Sequence, residues 1–116
     1  MAMTDFKANW AYNFISEKSL EEIVDIYNAS GPWQWQQRES YMFGHYINTR
    51  PGAGLHIRIH EYPQAFFGTD RQEEGFSALI QIESDSVFLK LDVDAIFLRL
   101  LQRINATEVR EIEPYD

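Results

Sequence analysis

Near the start of the chain, large apolar side chains fall on alternate positions. Trp10, Tyr12 and Phe14 share one parity, with Ala11 and Asn13 between them. That period of two predicts a half-buried strand over residues 10–15. The period then lengthens. Leu20, Ile23, Val24 and Tyr27 form a stripe at helical spacing, while Glu21, Glu22 and Asp25 face away from it or flank it. Ser19 followed three residues later by Glu22 fits a capping box, in which hydroxyl and carboxylate each satisfy a backbone donor of the other residue. Gly31-Pro32 predicts the helix end, with glycine taking a left-handed stop and proline unable to continue the ladder.

Alternation returns in the stretch GPWQWQQRESYMFGHYI, residues 31–47. Trp33 and Trp35 alternate with Gln34 and Gln36, and Tyr41, Phe43, His45 and Ile47 share the parity of the tryptophans. Either one long bent strand or two short ones broken near Glu39-Ser40 satisfies this pattern, since aromatic residues favour strands. Arg50-Pro51-Gly52-Ala53-Gly54 reads as a loop. The run LHIRIHEY over residues 55–62 is the clearest strand: Leu55, Ile57 and Ile59 face one side, and His56, Arg58 and His60 the other. Residues 63–75 read as an exposed loop long enough to act as a flap, and residues 76–82 as another strand.

The segment 85–91 fits two patterns, because Val87, Leu89 and Leu91 alternate while Leu89 also extends the stripe of the following helix. That helix is marked by Val93, Ile96, Phe97, Leu100, Leu101 and Ile104, with Asp92 as N-cap and Asn105 as its end. Residues 107–113, TEVREIE, predict a charged edge strand. The expected fold is therefore α+β: a single antiparallel-rich sheet with two helices on one face. The expected topology is ferredoxin-like βαββαβ with an extra middle strand, formed as one domain over residues 1–116.

Composition narrows the functional classes. A chain of 116 residues with 45% hydrophobic residues buries a core without covalent staples. The absence of cysteine excludes disulfides, thiolate metal sites and a cysteine nucleophile. The N-terminal MAMTDFKANW has no basic segment leading into an apolar one, and no apolar run approaches the roughly 20 residues that span a bilayer. A cytoplasmic protein is expected. A net charge of −8 opposes general affinity for nucleic acid or anionic membrane, so neither is expected as a partner.

The charge is uneven. Residues 1–30 carry five acids and two bases, and residues 61–116 carry twelve acids and five bases. Residues 31–60 carry one acid, Glu39, against Arg38, Arg50 and Arg58, and hold all three histidines. The aromatic stretch thus opens the one electropositive block of an acidic chain. Helices covering the face of Leu55, Ile57 and Ile59 would leave His56, Arg58 and His60 on the open one. An arginine flanked by imidazoles grips a carboxylate or phosphate through its planar donor fork. The candidate anion-binding set is Arg38, His45, His56, Arg58 and His60. The alternative reading pairs Arg58 with a carboxylate on a neighbouring strand, such as Glu108 or Glu111, and leaves the histidines solvated.

A metal site is not expected, because His56 and His60 lie about 13 Å apart along a strand while zinc ligands must converge. Gly75–Leu79, GFSAL, has leucine where a nucleophile elbow needs its second glycine. No phosphate-binding glycine loop or dinucleotide fingerprint occurs, and no cofactor is expected. The tryptophans read as core residues. The expected function is a non-enzymatic binding or interaction module. Its partner would be a basic protein docking on the acidic first helix and C-terminal region, or a second copy meeting through the open sheet face. The alternative is a small enzyme or sensor that handles an anionic metabolite at the His/Arg-lined face.

Overall fold

A computed structural model describes residues 6–40, 44–62 and 75–114. The elements run β1 (Phe6–Ile15), α1 (Leu20–Ser30), β2 (Gln36–Ser40), β3 (Gly44–Gly52), β4 (Leu55–Tyr62), β5 (Gly75–Glu83), α2 (Lys90–Arg103) and β6 (Thr107–Ile112). The protein is α+β, with one six-stranded sheet in the order β2-β3-β4-β5-β1-β6 and every neighbouring pair antiparallel.

This order differs from the ferredoxin-like arrangement expected from the pattern. β2 to β5 follow one another as an antiparallel meander, each strand pairing with the next in sequence. β5 and β6 both lie antiparallel to β1 and flank it, so β5–α2–β6 is a split crossover straddling β1. Helix α1 carries the chain from β1 to the far edge of the sheet, at β2.

Strand alternation divides the sheet into two faces. Trp10, Tyr12 and Phe14 of β1, Ile47 of β3, Leu55, Ile57 and Ile59 of β4, and Phe76, Ala78, Ile80 and Ile82 of β5 are buried on one face. They share a core with Leu20, Ile23, Val24 and Tyr27 of α1 and Val93, Phe97, Leu100 and Leu101 of α2. The helices are joined by the Tyr27 hydroxyl, which donates to the carbonyl of Leu100 at 3.0 Å. Burial pushes that phenol above its ordinary range. On the sheet, Trp10 Nε1 and the Tyr12 hydroxyl both donate to Asp94 Oδ1 of α2, at 2.9 and 2.6 Å.

The capping box of α1 is present: Glu22 N donates to Ser19 Oγ at 3.1 Å, and Ser19 N to Glu22 Oε1 at 2.9 Å. The hydrogen bonds to Ser19 hold the Glu22 carboxyl below its ordinary pKa. Gly31 ends the helix for a reason other than the expected one. Its backbone is extended, with φ −84° and ψ 163°, so no left-handed stop is made. A Cβ there would instead collide with the carbonyl of Tyr27, the group that accepts the Gly31 N–H at 2.7 Å.

Trp33 and Trp35 are buried, at 8% and 3% exposure, but lie outside any strand. The backbone groups that a ladder would use are taken elsewhere. Asn28 Nδ2 donates to the Trp35 carbonyl at 3.0 Å, and Trp35 N donates to Asn28 Oδ1 at 2.7 Å. Thr49 Oγ1 donates to the Gln34 carbonyl at 2.6 Å. The pattern allowed one strand or two here, and two are present. Tyr41, Phe43 and all but the last residue of the flap expected at residues 63–75 lie outside the described residues, and that last residue, Gly75, begins β5.

The ambiguous segment 85–91 forms no strand: residues 85–89 make a turn and an extended approach, and α2 starts at Lys90, earlier than expected. Ser86 N donates to the Glu83 carbonyl at 3.0 Å, and Phe88 N to Ser86 Oγ at 3.1 Å. That turn directs Phe88 toward the core and leaves Val87 and Leu89 exposed. Leu89 is the N-cap of α2 and makes no side-chain cap. Asp92, expected at that position, lies in the first turn, where a carboxylate still favours the positive end of the helix dipole. Asn105 follows the helix with φ 54°, a left-handed conformation that asparagine tolerates. β6 is an exposed edge strand. Among the described residues, no helix is long and apolar enough to cross a membrane.

Candidate functional site

The second sheet face is polar, and strand register arranges it in rows. One row runs Gln36, Asn48, Arg58, Leu79, Ala11 and Ile112 across β2 to β6 in sheet order. The next runs Arg38, Tyr46, His60, Ser77, Asn13 and Arg110. On the other side of the first row, His56 lies opposite Gln81, which lies opposite Asn9.

β3 ends here in a bulge. Thr49 pairs with Ile57 and Gly52 with Leu55, so Arg50 and Pro51 together oppose His56. The stretch expected as a loop is therefore the distorted end of a strand. Proline, which has no N–H to give the ladder, is accommodated at such a position. A bulge bends its strand and re-aims its side chains, and this one sets Arg50 beside the face. The hairpin then closes through Gly52, Ala53 and Gly54, all with positive φ.

The result is a concavity of about 130 Å³ lined by Tyr46, Asn48, Thr49, Arg50, His56, Ile57, Arg58, Leu79 and Gln81. Among the described residues, its lining holds two arginines and a histidine and no carboxylate. His56 Nε2 lies 2.9 Å from Glu83 Oε2, each side chain about one-third exposed. Facing a carboxylate, Nε2 carries the proton and donates it, which fixes the ring and leaves Nδ1 as the second polar atom.

Of the five candidates read from sequence, His56 and Arg58 line the concavity directly. Arg38 lies on the same face, beyond the lining. Its Nε donates to Asn48 Oδ1 at 3.1 Å and its Nη2 to Gln36 Oε1 at 2.7 Å. By occupying the amide oxygen of Asn48, it leaves the Asn48 NH₂ as that residue's remaining polar group at the pocket. His60 shares the face but is buried, at 7% exposure, and outside the lining. Burial, and secondarily the charge of Arg58, lower its pKa from 6.5 to about 4, so it is neutral at neutral pH.

His45 is on the wrong side. It pairs with Glu39 across β2 and β3 and has the parity of Ile47, which places it on the helix-covered face. It is exposed there, its Nε2 3.6 Å from Glu39 Oε2. The carboxylates considered as partners for Arg58 are also displaced. β6 lies three strands from β4, roughly 14 Å at ordinary strand spacing. Glu111 sits opposite Tyr12, on the helix-covered parity.

Tyr46, Asn48, Arg50 and Gln81 were not among the candidates read from the sequence, although Arg50 belongs to its electropositive block. Tyr46 and Asn48 have the parity opposite to His45 and Ile47, so alternation marked their face. Only the register shows that they meet Arg58. Among the described residues, no cluster of three or more histidine, aspartate or glutamate side chains is placed to hold a metal ion. No protein family matches the chain in sequence, and no curated protein matches it significantly.

Proposed function

We propose that the protein is a binding module that holds a small anionic ligand, carrying a carboxylate or a phosphate, in the polar concavity of the sheet face opposite the helices. One observation carries this reading: among the described residues, the lining gathers Arg50, Arg58 and His56 and includes no carboxylate, in a chain of net charge −8. Asn48, Tyr46 and Gln81 add uncharged polar groups that orient a bound anion. Size restricts the ligand. Pockets for drug-sized molecules begin at about 300 Å³, and about 130 Å³ suits a group of a few heavy atoms rather than a nucleotide. The His56–Glu83 pair fixes the wall of the site and is given no catalytic role.

The test is isothermal titration of small carboxylates and inorganic phosphate at neutral pH, with Arg50→Gln and Arg58→Gln beside the parent protein. A charge-assisted hydrogen bond contributes about 1.5–3 kcal/mol, so each substitution should weaken binding by about ten- to a hundredfold. Arg50 is exposed, so its variant should keep the parent's melting temperature. An absence of binding by every anion, or equal affinity in parent and Arg50→Gln, would overturn the reading.

A further inference from the structure

The outer face of α2 departs from the usual composition of a helix lying on a sheet. Its inner stripe, Val93, Phe97, Leu100 and Leu101, is buried. At 100° per residue the opposite face carries Leu91, Ala95, Leu98 and Gln102, at i, i+4, i+7 and i+11. All four are exposed; Leu91 is 83% and Leu98 37% accessible. An outer face ordinarily carries charge, but here the charged residues of α2 stand on its flanks. Lys90 and Asp94 lie on one flank, engaged with β1: Lys90 Nζ is 5.3 Å from the centre of the Trp10 ring, and Asp94 accepts from Trp10 and Tyr12. Asp92, Arg99 and Arg103 lie on the other, with Asp92 and Arg99 exposed and seven residues apart.

We propose that this face is a self-association surface that pairs α2 with α2 of a second copy in antiparallel orientation. The charges select both partner and direction. A two-fold axis near Ala95 sets Leu91 against Leu98 of the second copy, with the small alanine at the point of closest approach. The same axis keeps each flank on its own side and brings Asp92 opposite Arg99 of the second copy, giving two symmetric ion pairs. A parallel two-fold exchanges the flanks instead, so Asp92 and Arg99 would face the Lys90–Asp94 flank of the second copy and the two ion pairs would not form. Val87 and Leu89, 81% and 57% exposed, extend the apolar surface at the N-terminal end of the helix. One helix pair buries less than the roughly 1,200 Å² of a standard interface, so the dimer is weak and concentration-dependent. This surface lies on the helix layer, away from the polar concavity, so the site stays open in the dimer.

Sedimentation equilibrium from low micromolar to millimolar concentration tests the proposal. The parent should pass from monomer to dimer. Leu98→Glu and Leu91→Glu should each weaken association at least about tenfold, since central apolar contacts dominate such interfaces. Their far-ultraviolet circular dichroism should not change, because both side chains are exposed. Asp92→Arg and Arg99→Asp should each weaken association severalfold, and combining them should restore it. A parent that stays monomeric throughout, or a dimer that Leu98→Glu leaves intact, overturns the proposal. A double reversal no tighter than either single one overturns the antiparallel pairing.

Discussion

His60 shows how one residue on the polar face acts through stability rather than through the site. It sits in the row between Tyr46 and Ser77, two residues from Arg58, and is 7% exposed. Burial first, and then the neighbouring guanidinium, lower its pKa to about 4 in the folded protein, against 6.5 for a free imidazole. Between those values the unfolded chain binds a proton that the folded chain does not. The stabilisation is complete above pH 6.5 and declines as pH falls toward 4. The loss should be on the order of 2 kcal/mol across that window. Urea unfolding at pH 7, 5.5 and 4.5 should show it. His60→Gln, which cannot titrate, should flatten the slope over this interval, while its stability at pH 7 reports the packing change alone. Parallel pH profiles for the two proteins would rule out His60 as the origin.

At the scale of elements, the sequence showed period more clearly than partnership. The α1 stripe and its Ser19–Glu22 box were legible because every determinant is local. The two faces of β4 were legible for the same reason: strict alternation separates Leu55, Ile57 and Ile59 from His56, Arg58 and His60. Strand order depends on which strands pair, and alternation does not encode that. The expected topology therefore differed from the observed one, and β6, which carries Glu108 and Glu111, lies three strands from β4 rather than beside it. His45 shares the parity of Ile47 in the sequence as in the sheet, and that parity is the helix-covered one, opposite to His56, Arg58 and His60. The tryptophan run was a different case. Aromatic alternation predicted a strand through Trp35, but a side chain seven residues earlier claims the backbone of that residue. Asn28 behaves as a surrogate strand, giving and taking one hydrogen bond with Trp35. Asn28→Ala would leave two partly buried backbone groups without partners, at about 2 kcal/mol. The urea midpoint should fall accordingly with an unchanged denaturant slope, and Trp35 emission should shift to the red as its segment loosens. An unchanged midpoint would mean that burial of the ring alone holds the segment.

At the scale of the whole molecule, the local charge at the pocket opposes the net charge of the chain, and this gives the proposed site an uncommon response to salt. A bound anion feels Arg50 and Arg58 at contact distance, and the excess acids across the rest of the surface at longer range. Screening sorts interactions by distance: the Debye length is about 30 Å at 0.01 M, about 8 Å at 0.15 M and about 3 Å at 1 M. Raising ionic strength from 0.01 to 0.15 M therefore removes remote repulsion more completely than near attraction. Affinity for a small anion should hold level or rise over that interval, and fall only toward 1 M, where contact pairs are screened and salt anions compete. A doubly charged ligand should show the larger rise, because repulsion from the −8 chain scales with ligand charge. Arg50→Gln should bind more weakly at every salt concentration yet keep the same profile, since it changes the near term and leaves the distant acids in place. Calorimetric titration at the three ionic strengths reads all of this directly. A steady loss of affinity from the lowest salt upward would mean that the two arginines act without opposition from the rest of the surface.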